Sequence, residues 1–95
     1  MVNETKKSFS YHWGSGVVAE EAQIETPHHL PTIQLLEFTE GPAAGEKTIR
    51  FCQYNLKGRF MRSPLLISAD DLGEMRKALD ENPELKELLR LMVAP

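Results

Sequence analysis

A tight turn between two strand-like segments constrains the fold of this chain more than any other feature. The tetrapeptide Asn55-Leu56-Lys57-Gly58 has asparagine first and glycine fourth, the pattern of a type I turn with a glycine in the left-handed region. Such a turn joins two antiparallel strands and sets which side chains face each other across them. The sequence therefore predicts a β-hairpin between Thr48 and Ile67.

The predicted hairpin has two chemically different faces. Its register pairs Tyr54 with Phe60, Gln53 with Met61 and Ile49 with Leu65. One face is apolar, and we expect it to be the core; its apolar residues are Ile49, Phe51, Met61, Leu65 and Ile67. The opposite face is basic and aromatic, and we expect it to face solvent; it carries Arg50, Cys52, Tyr54, Phe60 and Arg62.

A helix is predicted to begin directly after the hairpin. Ser68 is a good N-cap, and Asp71 completes a shortened capping box. Ile67 and Leu72 are placed as a hydrophobic staple, which assigns Ile67 to the core face. Asn82-Pro83 ends this helix and starts a second one. Both helices carry apolar stripes, interpreted as core or dimer contacts; they contain Leu72, Met75, Leu79, Leu85, Leu88, Leu89 and Met92.

The first half of the chain adds one clear strand and one ambiguous one. Thr32–Thr39 has the composition and length of a strand. The segment 17–25 alternates poorly and is predicted to be an irregular edge strand ended by Pro27. We expect residues 1–16 to be a flexible tail and residues 17–95 to be one domain. The predicted fold is α+β: an antiparallel meander of three to four strands with two C-terminal helices packed on one face.

Charge is distributed unevenly along the chain. The net charge is −3, but residues 47–69 carry five basic residues and no acid. The acids are concentrated on both sides of this segment. The overall charge argues against indiscriminate binding of nucleic acid, whereas the local pattern indicates a basic surface on the hairpin.

Motifs for catalysis, metals and membranes are missing. Cys52, the single cysteine, cannot form an internal disulfide, and a reduced, cytoplasmic protein is expected. His28 and His29 are adjacent in a proline-bounded linker and lack further ligands at metal spacing, so no metal site and no cofactor are predicted. No apolar run has the length of a membrane span. We expect a non-catalytic binding domain rather than an enzyme.

The basic and aromatic face supports a hypothesis of single-stranded nucleic-acid binding. Bases can stack on aromatic rings, and basic side chains neutralise phosphates. The candidate binding residues are Arg50, Tyr54, Lys57, Arg59, Phe60 and Arg62. In the alternative interpretation, Tyr54 and Phe60 are a cross-strand pair that stabilises the hairpin. The arginines are then a solubilising rim or pair with the acids of the flanks.

The order of elements in the second half of the chain resembles a known family. The run from Leu35-Leu36-Glu37-Phe38 through Ile49-Arg50-Phe51 and Gly58-Arg59 to the segment 64–72 is similar to the strand–strand–strand–helix half of PC4-like transcriptional coactivator domains. The resemblance implies a basic curved sheet face that binds single-stranded DNA. It also implies helices that pair two subunits.

A second hypothesis comes from another class of function. The leucine-rich stripes of the two helices, or an open sheet edge, favour a protein-interaction module. Such a module forms a homodimer or docks a larger protein. The two hypotheses differ in salt dependence, because binding to phosphates weakens steeply as salt rises.

Overall fold

Five antiparallel strands in sequential order form one sheet, and two helices follow it. The computed structural model describes residues 7–94. The strands are β1 (Ser8–Tyr11), β2 (Gly14–Gln23), β3 (Leu30–Glu40), β4 (Lys47–Tyr54) and β5 (Leu65–Ser68). The 3₁₀ turn Ala69–Asp71 leads into α1 (Leu72–Asp80), and α2 (Pro83–Val93) follows. The fold is α+β as predicted, with five strands instead of three or four.

The first strand of the sheet, β1, lies in a segment that was predicted to be a flexible tail. In β1, Ser8 lies opposite Val17 and Tyr11 lies opposite Gly14, and Phe9 is buried. This corrects the predicted tail boundary, because residues 8–11 and 14–16 belong to the sheet and residues 12–13 form the turn between them. Residues 1–6 of that tail, like residue 95, lie outside the described part of the chain. The β2 strand is irregular as expected, but it lies between β1 and β3 and is not an edge strand.

The turn that joins β4 to the next segment has the predicted geometry. Gly58 N donates to Asn55 O at 2.8 Å, and Gly58 has a φ of 87°. The Asn55 side-chain oxygen also accepts from the backbone N–H groups of Lys57 and Arg59. Tyr54 pairs with Phe60, and Met61 N donates to Gln53 O. The local pattern of asparagine and glycine therefore predicted this end of the hairpin correctly.

Beyond Met61 the register differs from the prediction by two residues. Phe51 lies opposite Leu65, and Ile49 lies opposite Ile67 rather than Leu65. The extra length is taken up before β5, where Ser63 has a φ of 69° and is followed by Pro64. Proline removes a donor from the ladder, and a residue in the left-handed region breaks the extended path.

The core lies on the face that was predicted to be exposed. The sheet is curled, so that β1 approaches β4: Lys7 Nζ lies 4.4 Å from the Tyr54 ring centroid. The curl lets the side chains of one face cover each other; the buried apolar cluster contains Phe9, Val18, Leu36, Phe38 and Ala43. The opposite face, with Ile49 and Phe51, is only half-buried. The prediction of which face is inside was therefore wrong.

The two helices bury no residue. Ser68 caps the 3₁₀ turn by accepting from Asp70 N, and Pro83 begins α2, both as predicted. α1 packs against α2 and against the 3₁₀ turn, which contacts β4. Leu79 and Leu89 are half-buried, and every other residue of the two helices is exposed. The predicted packing on one sheet face is therefore not reached, because the curled sheet forms its core without the helices.

Candidate nucleic-acid interface

The structure brings three of the six predicted binding residues together. Arg50 and Tyr54 project from β4 onto the core face, and Phe60 lies opposite Tyr54 across the turn. The Tyr54 and Phe60 rings meet edge to face with centroids 5.4 Å apart. The other three are exposed and lie elsewhere: Lys57 and Arg59 are in the turn, and Arg62 lines a separate cleft with His29 and Phe51.

Two of these residues are not on the surface. Arg50 is 5% exposed and Tyr54 is 7% exposed, whereas Phe60 is 39% exposed. This corrects the expectation that guanidinium groups and rings of this face look out to solvent. The ring of Tyr54 cannot serve as an open stacking surface, because Lys7 Nζ lies 4.4 Å from its centroid and the Phe60 ring packs against it. Phe60 is the member of the aromatic pair that is accessible to a ligand.

Arg50 is held by neutral partners. Its Nε donates to Gln34 Oε1 at 2.7 Å, and its Nη1 donates to Tyr11 Oη at 3.0 Å. The guanidinium lies 4.7 Å from the Phe60 ring centroid and 5.9 Å from that of Phe9, both within the range of cation–π attraction. Within residues 7–94, no carboxylate forms an ion pair with Arg50. A buried cation without an anionic contact is unusual.

Gln34 organises the polar cluster around this cation. Its Oε1 accepts from Arg50 and from Cys52 Sγ, and its Nε2 donates to Tyr54 Oη and Glu21 Oε1. Gln34 is 1% exposed. All buried polar side-chain atoms of the described residues have a partner. The cluster is therefore fully hydrogen-bonded, which makes it compatible with burial.

Glu21, whose carboxylate interacts electrostatically with Arg50, already has two hydrogen-bond donors. Its Oε1 accepts from Lys7 Nζ at 2.8 Å and from Gln34 at 2.8 Å. Burial by itself raises the pKa of Glu21, but the hydrogen bonds from Lys7 and Gln34 and the charges of Lys7 and Arg50 outweigh it and lower the pKa. Lys7 and Glu21 cancel each other's charge. The positive charge of Arg50 is therefore left in excess in this part of the molecule.

An open groove of about 360 Å³ runs beside this cluster. One wall is β1 with the preceding Lys7, and the other is formed by Arg50, Tyr54 and Phe60. Ser8 and Ser10, which are exposed, also line the first wall. The groove thus combines an aromatic ring and an excess cation. These groups suit a ligand with a flat apolar part and an anionic part.

An aromatic pair at the β1–β2 turn was not predicted as part of a site. Tyr11, which lines the groove, stacks on Trp13 with centroids 4.8 Å apart and an interplanar angle of 11°. Trp13 is 39% exposed. The alternation of serine with aromatic residues over 8–11 was a strand signal in the sequence. The strand was not predicted, because the surrounding residues are polar and include the Gly14-Ser15-Gly16 break.

Cys52, His28 and His29 carry the other side chains that are common in catalytic and metal sites. Burial raises the pKa of the Cys52 thiol more than the charge of Arg50 lowers it, so the thiol is not activated. The His29 ring nitrogen contacts the Thr26 hydroxyl, and this hydroxyl also accepts from the backbone N–H groups of His28 and His29. Residues 7–94 contain no group of three or more histidine, cysteine or acidic side chains that could hold a metal ion.

Comparison with protein-family models, with curated proteins and with solved structures found no match to this chain. Neither of the helices in residues 7–94 has the length and apolarity that crossing a membrane requires.

Proposed function

We propose that this chain is a non-catalytic binding module for single-stranded nucleic acid. The strand lies along the groove between β1 and the β4 hairpin, where a base stacks on Phe60. The basic side chains Lys57 and Arg59 of the turn neutralise phosphates. Arg50 contributes its charge from within the wall of the groove. Tyr54 supports Phe60 from below and does not touch the ligand, and Arg62 lies outside the site.

One observation carries this proposal: a buried guanidinium without an ion pair stacks against the accessible Phe60 ring in an open groove. A phosphodiester supplies the missing negative charge, and the attached base supplies a ring for stacking. One wall of the groove is built by the basic segment 47–69 of an otherwise acidic chain, which favours a local site over binding along the whole surface. The resemblance of the segment 35–72 to PC4-like domains points in the same direction.

The test is a fluorescence-anisotropy titration with a labelled single-stranded oligonucleotide at two salt concentrations. In the proposed complex Lys57 and Arg59 contact about two phosphates, whereas the buried Arg50 contributes its charge without direct contact. The logarithm of the affinity is therefore expected to fall with the logarithm of salt concentration with a slope of about −1.4. Absence of binding at low salt would remove the proposal.

Charge-reversal variants provide the matched control. Arg59→Glu is expected to weaken binding by about tenfold or more, because it replaces a phosphate contact with a repulsive charge. Arg76→Glu makes the same change on α1, away from the groove, and is expected to leave the affinity nearly unchanged. Equal losses in both variants would indicate attraction by overall charge and contradict a local site.

A second candidate function, association into a homodimer, is favoured by the exposed helices. Leu88 is 66% exposed; Leu72, Met75, Leu85, Leu91, Met92 and Val93 are also exposed. Helices of 9 and 11 residues are marginal unless an apolar face is covered. The outer sheet face of the same chain, with Ile49 and Phe51, is half-buried and apolar. A second copy offers both kinds of surface, so that the helices of each copy cover the other copy.

Sedimentation equilibrium over a range of protein concentrations tests this second candidate. A dimer predicts a mass that rises towards twice that of one chain. Leu88→Glu retains helix propensity but places a charge on the apolar stripe, and it is expected to give the mass of one chain. Leu56→Glu, at another exposed leucine, in the turn (53% exposed), is the control and should leave the mass unchanged. A single-chain mass at every concentration would contradict self-association.

A further inference from the structure

The aromatic pair at the β1–β2 turn extends the groove beyond the predicted site. The groove ends at Tyr11 on its β1 side. Tyr11 accepts a hydrogen bond from Arg50 through its hydroxyl and stacks on Trp13 through its ring. Tyr11 therefore connects the buried cation with an exposed indole. The three aromatic residues Phe60, Tyr11 and Trp13 form a continuous series, with Arg50 between Phe60 and Tyr11.

The position of Trp13 is held by the backbone around it. Ala43 N donates to Trp13 O at 3.0 Å. Gly14 and Gly41 approach so closely that a Cβ on Gly41 would lie 2.8 Å from the Gly14 Cα. The turn is therefore fixed against the β3–β4 loop, and its indole is oriented before any ligand arrives. An aromatic ring that is already positioned binds at a lower entropic cost than one on a mobile segment.

We infer that Trp13 is a second base-stacking residue and that the ligand is an extended strand of roughly four or more nucleotides. This inference rests on the proposed function. One base stacks on Phe60 and another on Trp13, while the backbone between them passes Arg50 and β1. On this arrangement a mononucleotide or dinucleotide is expected to stack on only one of the two rings.

The test compares oligothymidylates of two, four and eight nucleotides and uses the fluorescence of Trp13, the single tryptophan of the chain. The octanucleotide is expected to quench this fluorescence, because a base stacks on the indole, whereas the dinucleotide leaves it largely unchanged. Trp13→Ala is expected to weaken octanucleotide binding about tenfold by anisotropy. Trp13→Phe, which keeps a ring, should recover most of the loss.

The outcomes separate this inference from the proposed function. Unquenched Trp13 fluorescence on saturation with the octanucleotide would overturn the inference, as would unchanged affinity in Trp13→Ala. If Phe60→Ala and Arg59→Glu weaken binding in that case, the proposed function stands without Trp13. If no oligonucleotide binds the wild-type chain, both proposals fail. The quenching experiment uses the wild-type protein, so it decides the matter even if Trp13→Ala folds poorly.

Discussion

The sheet and the two helices of this chain differ in how well their apolar side chains are covered. The sheet curls on itself, and Leu36 at its centre is 0% exposed. The helices carry leucine stripes of similar hydrophobicity, but no residue in them is buried. The sheet therefore has a core within one chain, whereas the helices have an apolar surface that depends on something outside it. The same substitution should therefore change the free energy of unfolding by different amounts in the two regions.

The largest difference is expected between two leucine-to-alanine changes. Leu36→Ala removes a fully buried side chain and is expected to lower the free energy of unfolding by about 3 kcal/mol or more, because it leaves a cavity. Leu88→Ala removes an exposed side chain and should cost less than about 0.5 kcal/mol at protein concentrations where the chain is monomeric. Urea unfolding measures both. Similar losses would mean that the helices belong to the core.

Glycine-to-alanine changes sharpen the contrast further. A Cβ on Gly16 would lie 1.9 Å from the backbone oxygen of Glu37, whereas a Cβ on Gly73 of α1 meets nothing within 4 Å. Gly16→Ala is expected to destabilise the chain by about 3 kcal/mol, because β2 and β3 must separate. Gly73→Ala should raise the helix content by circular dichroism and stabilise α1 by about 0.5–1 kcal/mol. The comparison fails if both variants shift the unfolding midpoint in the same direction.

A smaller effect separates the buried arginine from an exposed one. Arg50→Met leaves Gln34 Oε1 with only the weak Cys52 Sγ donor and removes the donor to Tyr11 Oη, and it is expected to cost about 2 kcal/mol. Arg62→Met changes an exposed side chain and should cost less than about 0.5 kcal/mol. Thermal or urea unfolding distinguishes them. An Arg50→Met variant as stable as the wild type would show that the polar cluster contributes nothing to the fold.

The smallest expected effect concerns acid stability. Burial raises the pKa of Glu21, but the hydrogen bonds from Lys7 and Gln34 and the nearby positive charges outweigh it and hold the pKa below the ordinary 4.5. Its stabilising contribution is therefore fully present above pH 4.5 and is lost as the pH falls through the lower folded-state value. Glu21→Gln should remove this part of the pH dependence in unfolding measurements. Glu74→Gln on α1, which breaks the exposed pair with Lys77, is expected to leave the profile almost unchanged.

The features that were predicted correctly depend on nearby residues. The turn at Asn55, the cap at Ser68 and the start of α2 at Pro83 each follow from a few adjacent side chains. The two faces of β4 were also separated correctly, because side chains alternate along a strand. These features needed no knowledge of the tertiary structure.

The features that were predicted wrongly depend on contacts between distant parts of the chain. Arg50 can be buried because Gln34 of β3 and Tyr11 of β1 supply acceptors, and no local pattern reports such partners. The burial of Phe9 depends on Phe38, 4.9 Å away between ring centroids. The two-residue shift in register near Ser63 depends on where β5 pairs with β4 after Pro64. For the same reason Trp13, which closes the series of aromatic residues, was not part of the predicted site.

The two-residue shift in register before β5 determines which insertions and deletions this segment tolerates. The two extra residues preserve the alternation of side chains, so Leu66 contacts the core cluster and Leu65 remains on the outer face. An insertion or deletion of an even number of residues at 62–64 keeps this arrangement. Removing a single residue exchanges the two faces of β5 and places Ile67, not Leu66, on the side of the core cluster. Relatives of this chain should therefore vary in length here in steps of two.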